Sequence, residues 1–175
     1  MTLVEPSAAM LESTLAALRG RGITHEAANV TLQQFVRDDA AACWDLAQAT
    51  FSLHNIPPAE RAPLFVWLRR KVGRLLIAEF DVPVFADMYS PEHVTYVVDR
   101  YEKGLLEYAG DGGLVAQGFL MPVFFGNFDR SAARTTYEQP IETWENELRA
   151  AGFGRVERRD LDDYWWARAH LVDAR

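Results

Sequence analysis

Cysteine is nearly absent. Cys43 stands alone among 175 residues, so no disulfide can close within the chain, which fits a reducing cytoplasm. No histidine lies near it in sequence to activate the thiol, and a small buried residue is expected rather than a nucleophile. Long apolar runs are missing too: no charge-free stretch reaches the ~20 residues that span a bilayer. The start lacks the basic-then-apolar order of an export signal, because Glu5 follows at once. Positive charge is scarce. Eighteen Lys and Arg against 25 Asp and Glu give a net charge of -7, which disfavours a phosphate-binding surface and favours a small molecule over nucleic acid as ligand. There are four histidines, and no pair has the spacing of a helical or hairpin metal site, so no metal is expected.

What is present is organised around Trp44 to Asp81, WDLAQATFSLHNIPPAERAPLFVWLRRKVGRLLIAEFD. It reads as a strand (Asp45 to Ser52), a turn closed by Pro57 and Pro58, a helix (about Ala59 to Arg70), a stop at Gly73 and a second strand (Leu75 to Phe80). Two almost continuous apolar strands joined by a helix predict a right-handed crossover in a parallel sheet covered on both faces. Ligands of such sheets bind beyond the carboxyl ends of the strands. Here those ends are Ser52-Leu53-His54-Asn55 and Glu79-Phe80-Asp81, both polar.

Upstream, Thr2 to Glu5 reads as a short strand and Ser7 as the cap of a helix carrying Met10, Leu11, Leu15 and Leu18. Glu5 stands at the strand's end, where a carboxylate can accept from two ribose hydroxyls; it reads equally as a solvated turn residue. Ala28 to Phe35 alternates as a strand does, and its Gln33-Gln34-Phe35 end could read and cover a purine or merely form a sheet rim. Downstream, Ser90-Pro91-Glu92 opens a helix whose apolar face runs through Val94, Val97, Val98, Tyr101, Leu105 and Tyr108 to a stop at Gly110 to Gly113. Leu114 to Phe128 is the most apolar segment. Its Gly118, Pro122 and Gly126 predict a pocket-lining loop with strand character, or plain core. Arg130 to Tyr137 reads as a polar linker, and Pro140 begins a helix with Ile141, Trp144 and Leu148 on one face. Arg155 to Asp160 and Tyr164 to Val172, joined at Leu161-Asp162-Asp163, predict a closing antiparallel hairpin.

Taken in order, VEPSAAML, WDLAQATFSLHNIPP, GRLLIAEFD, WENELRAAGF and the closing hairpin resemble the class I S-adenosylmethionine-dependent methyltransferases, from that fold's second strand to its seventh. The long insertion and the ending DYWWARAHLVDA are similar to small-molecule methyltransferases of bacterial secondary metabolism. The resemblance implies an α/β, Rossmann-like three-layer αβα sandwich: a mostly parallel sheet ending in an antiparallel hairpin, with the first strand missing. Residues 1–175 then form one N-terminally incomplete domain with a helix-plus-apolar-loop insertion at about 90–128. The family's glycine-rich turn has no counterpart. Gly110-Asp111-Gly112-Gly113 has Val115 where a third glycine is required, and Gly152-Phe153-Gly154 has Glu157 there. The missing strand would lie between those starting at Thr2 and Asp45, so a partner chain, a second protomer, rearranged pairing or residues outside this sequence must supply or close it.

The resemblance further implies S-adenosylmethionine as cofactor, with Glu5 on the ribose, Pro6 and Met10 near the same edge, and Gln34 and Phe35 flanking the adenine. Thr50, Phe51 and Ser52 would face the methyl group and acceptor, with His54 as base because its ordinary pKa lies near working pH. The same position suits a structural histidine. His25, His93 and His170 read as structural. Tyr101, Gln117, Phe119, Met121, Phe124, Trp144, Trp165 and Trp166 could line an apolar acceptor pocket, although such residues, each tryptophan included, are more often core. Three functions compete: methyl transfer to a small molecule, a non-catalytic dimerising subunit, and a ligand-binding protein or non-methylating enzyme on the same fold.

Overall fold

The computed structural model describes residues 1–38, 42–129, 131, 133 and 135–175. Among them, six strands fall into two sheets. β1 (Thr2–Val4) pairs in parallel with β2 (Glu26–Ala28), separated in sequence by α1 (Ala8–Gly20). The larger sheet has the order β3-β4-β6-β5, formed by β3 (Trp44–Thr50), β4 (Val72–Asp81), β6 (Arg168–Ala174) and β5 (Val156–Asp163). β3 and β4 run parallel across α3 (Pro58–Lys71), and β6 lies antiparallel to both of its neighbours. Three of these four strands therefore share one direction, the mixed α/β, Rossmann-like arrangement the sequence predicts.

Period-two alternation in β4 sorts its faces. Leu75 and Ile77 point into a buried cluster with Leu64, Phe65 and Leu68 of α3 and with Ile141, Trp144 and Leu148 of α6 (Ile141–Ala150). Fully burying each such aliphatic side chain stabilises the fold by about 1.5–3 kcal/mol. Glu79 and Asp81 continue the same row past the cluster, so the strand's apolar stripe ends in two carboxylates on one face. Asp81 Oδ1 accepts the backbone N–H of Ile141 at 2.9 Å and so caps α6, whose own Pro140 offers no side-chain cap.

Several local expectations are corrected. Ala28 to Phe35 is not a strand: β2 ends at Ala28, and α2 (Leu32–Arg37) begins with Thr31 Oγ1 accepting from Gln34 N at 3.2 Å. Leu32, Phe35 and Val36 share a helical face against the core, so the 3.6-residue period wins over the apparent alternation. Leu114 to Phe128 is helical rather than a loop with strand character. A π-turn (Ala116–Leu120) runs into α5 (Met121–Gly126), where Pro122 sits in the first turn and breaks nothing. Gly73 does not stop α3; it lies inside β4, where a Cβ would stand 3.1 Å from the Asp45 carbonyl oxygen. The closing hairpin turns later than Leu161-Asp162-Asp163, because β5 continues to Asp163 through an irregularity between Asp160 and Asp162. Cys43 is exposed, not buried. Part of the expected linker, residues 130, 132 and 134, lies outside the described residues.

Among the described residues the two sheets share no strand pairing. Trp44 Nε1 donates to Thr2 Oγ1 at 3.2 Å, setting the start of β1 beside the start of β3. Among the described residues, the side of β3 away from β4 has no strand partner. Its Leu46 is 48% exposed, unlike the interior strand β4.

Candidate active site

The carboxyl ends of β3 and β4 carry the site. At the end of β3 the chain turns through Phe51, a non-glycine residue at φ 47°, a conformation that costs on the order of 1–3 kcal/mol. Its N–H donates to Ala78 O at 2.9 Å, and its ring stacks on Phe80 at 4.4 Å between centroids. The strained turn feeds a single 3₁₀ turn, Leu53–Asn55, over the end of β4.

Glu79 is the anchor of that turn. Its side chain is 1% exposed, and a carboxylate so placed persists only when donors surround it. Oε1 accepts from Leu53 N at 2.8 Å and His54 N at 3.3 Å, while Oε2 meets His54 Nδ1 at 2.8 Å. A carboxylate only accepts, so Nδ1 carries the proton and Nε2 is left as the basic nitrogen of the neutral ring. Burial alone would lower the His54 pKa, but the hydrogen bond and charge of Glu79 outweigh it and hold the ring above its ordinary value of 6.5. The His54 carbonyl accepts Tyr137 N at 2.7 Å, which brings Glu138 beside the imidazole as a further acidic influence.

Glu138 is also one wall of a cavity of about 510 Å³ between α4 (Pro91–Glu107), α5 and the β5–β6 turn. Six aromatic side chains contribute to its lining: Phe85, Tyr96, Tyr101, Phe124, Trp165 and Trp166. Of its polar members, Arg100 is held by Asp163 Oδ1 at 2.6 Å and the Tyr164 carbonyl at 3.0 Å. Lys103 and Arg100 together hold the Asp163 carboxyl down at about 2.

The expected site residues are partly brought together. Tyr101 and Trp165 line the cavity, whereas Gln117 borders a separate shallow depression with Gly112 and Gly113. Met121 is 41% exposed. Trp144 is fully buried in the core with the Arg61 guanidinium 4.1 Å over its ring, which corrects its assignment to the pocket. Thr50 and Ser52 are exposed at the end of β3, with Thr50 Oγ1 accepting from Gln48. At the end of β1, Glu5 Oε1 accepts Ser7 N at 2.7 Å, and Asn29 clamps the Glu5 and Pro6 carbonyls. Pro6 and Met10 are exposed. Phe35 does not offer a face for adenine: it packs between Trp44 and Trp67 with centroids 6.1 and 6.2 Å away. Gln34 is exposed on α2. Sequence reasoning placed Glu79 at a polar strand end without giving it a role, read His93 as structural, and missed the cavity residues Phe85, Tyr96, Arg100 and Glu138. For Glu79 a signal existed, a lone carboxylate inside the apolar run LLIAEF.

No protein-family model and no curated protein matches the sequence. Solved structures do. An O-methyltransferase family protein from Burkholderia thailandensis superposes with a TM-score of 0.61 at 13% identity, over 99% of this chain and 42% of its own. Magnesium protoporphyrin IX methyltransferase from Synechocystis PCC 6803, with bound SAH, gives 0.55 at 13% identity over 99% and 62%. A SAM-dependent methyltransferase from Methanosarcina mazei gives 0.57 at 13% identity over 99% and 80%. This chain carries the class I S-adenosylmethionine-dependent methyltransferase fold. It spans less than half the length of the Burkholderia protein, and 47% of PigF, whose structure holds SAH.

Against that fold, the residues present fit the cofactor in part. The second carboxylate oxygen of Glu5 has no hydrogen-bond partner among the described residues and suits a ribose hydroxyl. Phe35 is taken up by its packing against Trp44 and Trp67, Gln34 lies exposed on α2, and among the described residues no glycine-rich turn follows a strand.

Proposed function

We propose that this protein transfers a methyl group from S-adenosylmethionine to a small aromatic acceptor. The observation that carries the reading is the His54–Glu79 pair, set at two adjacent strand ends and linked to the aromatic cavity through Glu138, which acts on the imidazole and lines the cavity. S-adenosylmethionine supplies an electrophilic methyl group when bound. This chain's residues supply the rest: Glu5 takes a ribose hydroxyl, the cavity orients the acceptor, and His54 receives the acceptor's proton at Nε2 while Glu79 stabilises the resulting imidazolium. A cytoplasmic setting, in bacterial secondary metabolism, fits this chemistry.

Isothermal calorimetry with S-adenosylmethionine and with its demethylated product tests the reading. Binding of both is expected; no heat from either at millimolar concentration rejects it.

The split sheet favours a second reading, in which the chain is one part of an assembly and a β-strand from a partner or second copy seats between β1 and β3. Sedimentation separates the two. A dimer or hetero-complex supports the assembly, and a well-folded monomer that binds the cofactor rejects it.

A further inference from the structure

His93 occupies the first turn of α4, a position that ordinarily marks a structural residue, yet it lines the same cavity. Its Nδ1 lies 2.8 Å from the Met88 carbonyl oxygen. A carbonyl cannot donate, so Nδ1 carries the hydrogen and the neutral ring exposes a lone pair at Nε2. Nε2 has no hydrogen-bond partner among the described residues. The ring is fixed in orientation: Phe85 packs against it at 4.7 Å between centroids with 30° between planes, Phe128 lies at 5.5 Å, and Ser90 Oγ accepts the His93 backbone N–H.

Charged and hydroxyl groups nearby are already engaged: Arg100 is paired with Asp163, Tyr96 donates to the Trp166 carbonyl at 3.5 Å, and Asp129 Oδ1 accepts from Ser131. A flat apolar ligand would meet rings on several sides, and a hydroxyl or amine on it would find in His93 an acceptor held in a fixed orientation.

We propose that His93 Nε2 accepts a hydrogen bond from a hydroxyl or amino group of an aromatic ligand, and so selects donor-bearing aromatics over their apolar isosteres. This deepens the methyl-transfer reading by naming its acceptor class. His93 is thereby a specificity residue at a place distinct from the His54–Glu79 pair.

Two probes of nearly equal shape test it: 2-naphthol, which carries the donor, and 2-methylnaphthalene, which does not. Affinities for both are measured by fluorescence titration on the wild-type chain and on His93→Phe and His93→Gln. The ratio of naphthol to methylnaphthalene affinity is expected to fall about three- to tenfold in His93→Phe, the worth of one hydrogen bond, with part of it restored in His93→Gln. Retained binding of 2-methylnaphthalene by His93→Phe shows that the variant is folded. An unchanged ratio in His93→Phe overturns the proposal, as does failure of the wild type to bind either probe up to its solubility. Neither probe involves the cofactor, so a failure to bind S-adenosylmethionine leaves this ratio untouched and rejects only the methyl-transfer reading.

Discussion

His54 and Glu79 illustrate how one buried carboxylate can define a site. Glu79 orders the turn through two backbone amides and sets the tautomer of the imidazole with its other oxygen. A histidine whose folded pKa is raised stabilises the fold below its unfolded value, near 6.5, and that contribution is lost as pH rises through the folded value. The stability gap between wild type and His54→Gln in urea titrations should therefore be larger at about pH 5.5 than at about pH 8.5. As a base, His54 must be neutral. Methyl transfer should rise with pH to a midpoint above 6.5, and Glu79→Gln should move that midpoint down; a midpoint unmoved in Glu79→Gln would show that Glu79 does not tune the ring. His54→Gln should lower kcat by about 10²- to 10⁴-fold, the usual contribution of general acid–base catalysis.

At the level of elements, side chains from distant segments close the frame around the site. Arg61 of α3 is fully buried, with Nη2 donating to Gln139 at 2.7 Å and to Glu147 at 3.3 Å, and Nη1 donating to the Tyr137 carbonyl at 3.2 Å. It thus ties α3 and α6 to the segment that touches His54. Arg61→Leu should cost about 3–5 kcal/mol in urea unfolding, because it strands Glu147 and Gln139 near the core. Asp81→Ala removes the cap of α6 and should cost about 1 kcal/mol, seen as a lower Tm. The strand-helix-strand core was legible in the sequence because the apolar runs of β3, α3 and β4 are long and their periods distinct. Residues Ala28 to Phe35 and Leu114 to Phe128 were not, since short apolar stretches fit either period and tertiary packing decides between them. For the site, His54 stood out as a titratable residue just past a strand. Trp144 and Phe35 went into the core instead, and nothing in an isolated aromatic distinguishes a pocket wall from a core filler. The role of His93 was invisible for the converse reason: its meaning lies in a carbonyl and two rings contributed from Met88, Phe85 and Phe128.

For the molecule as a whole, the division of the sheet dictates how stability is distributed. β4 and β6 share seven paired positions and the buried cluster, whereas β1 and β2 share three and α1 buries only Leu11. Among the described residues, α2 packs on α3 and the Trp44–Thr2 hydrogen bond links β1 to β3. Few buried contacts imply a low free energy of local opening. In hydrogen exchange, amides of Thr2–Val4 and Glu26–Ala28 should open well below the global unfolding free energy, while those of Leu75–Ile77 and Val172 should track it. Trp44→Phe, which deletes the indole donor, should speed exchange in β1 without altering β4. A strand seated along the open side of β3 would pair the outward backbone groups of Trp44 to Thr50, and protection should then rise in β3 and β1 together. Equal protection of both sheets in the isolated chain would mean that β1 and β2 already share the cooperative core, and the assembly reading would lose its physical basis.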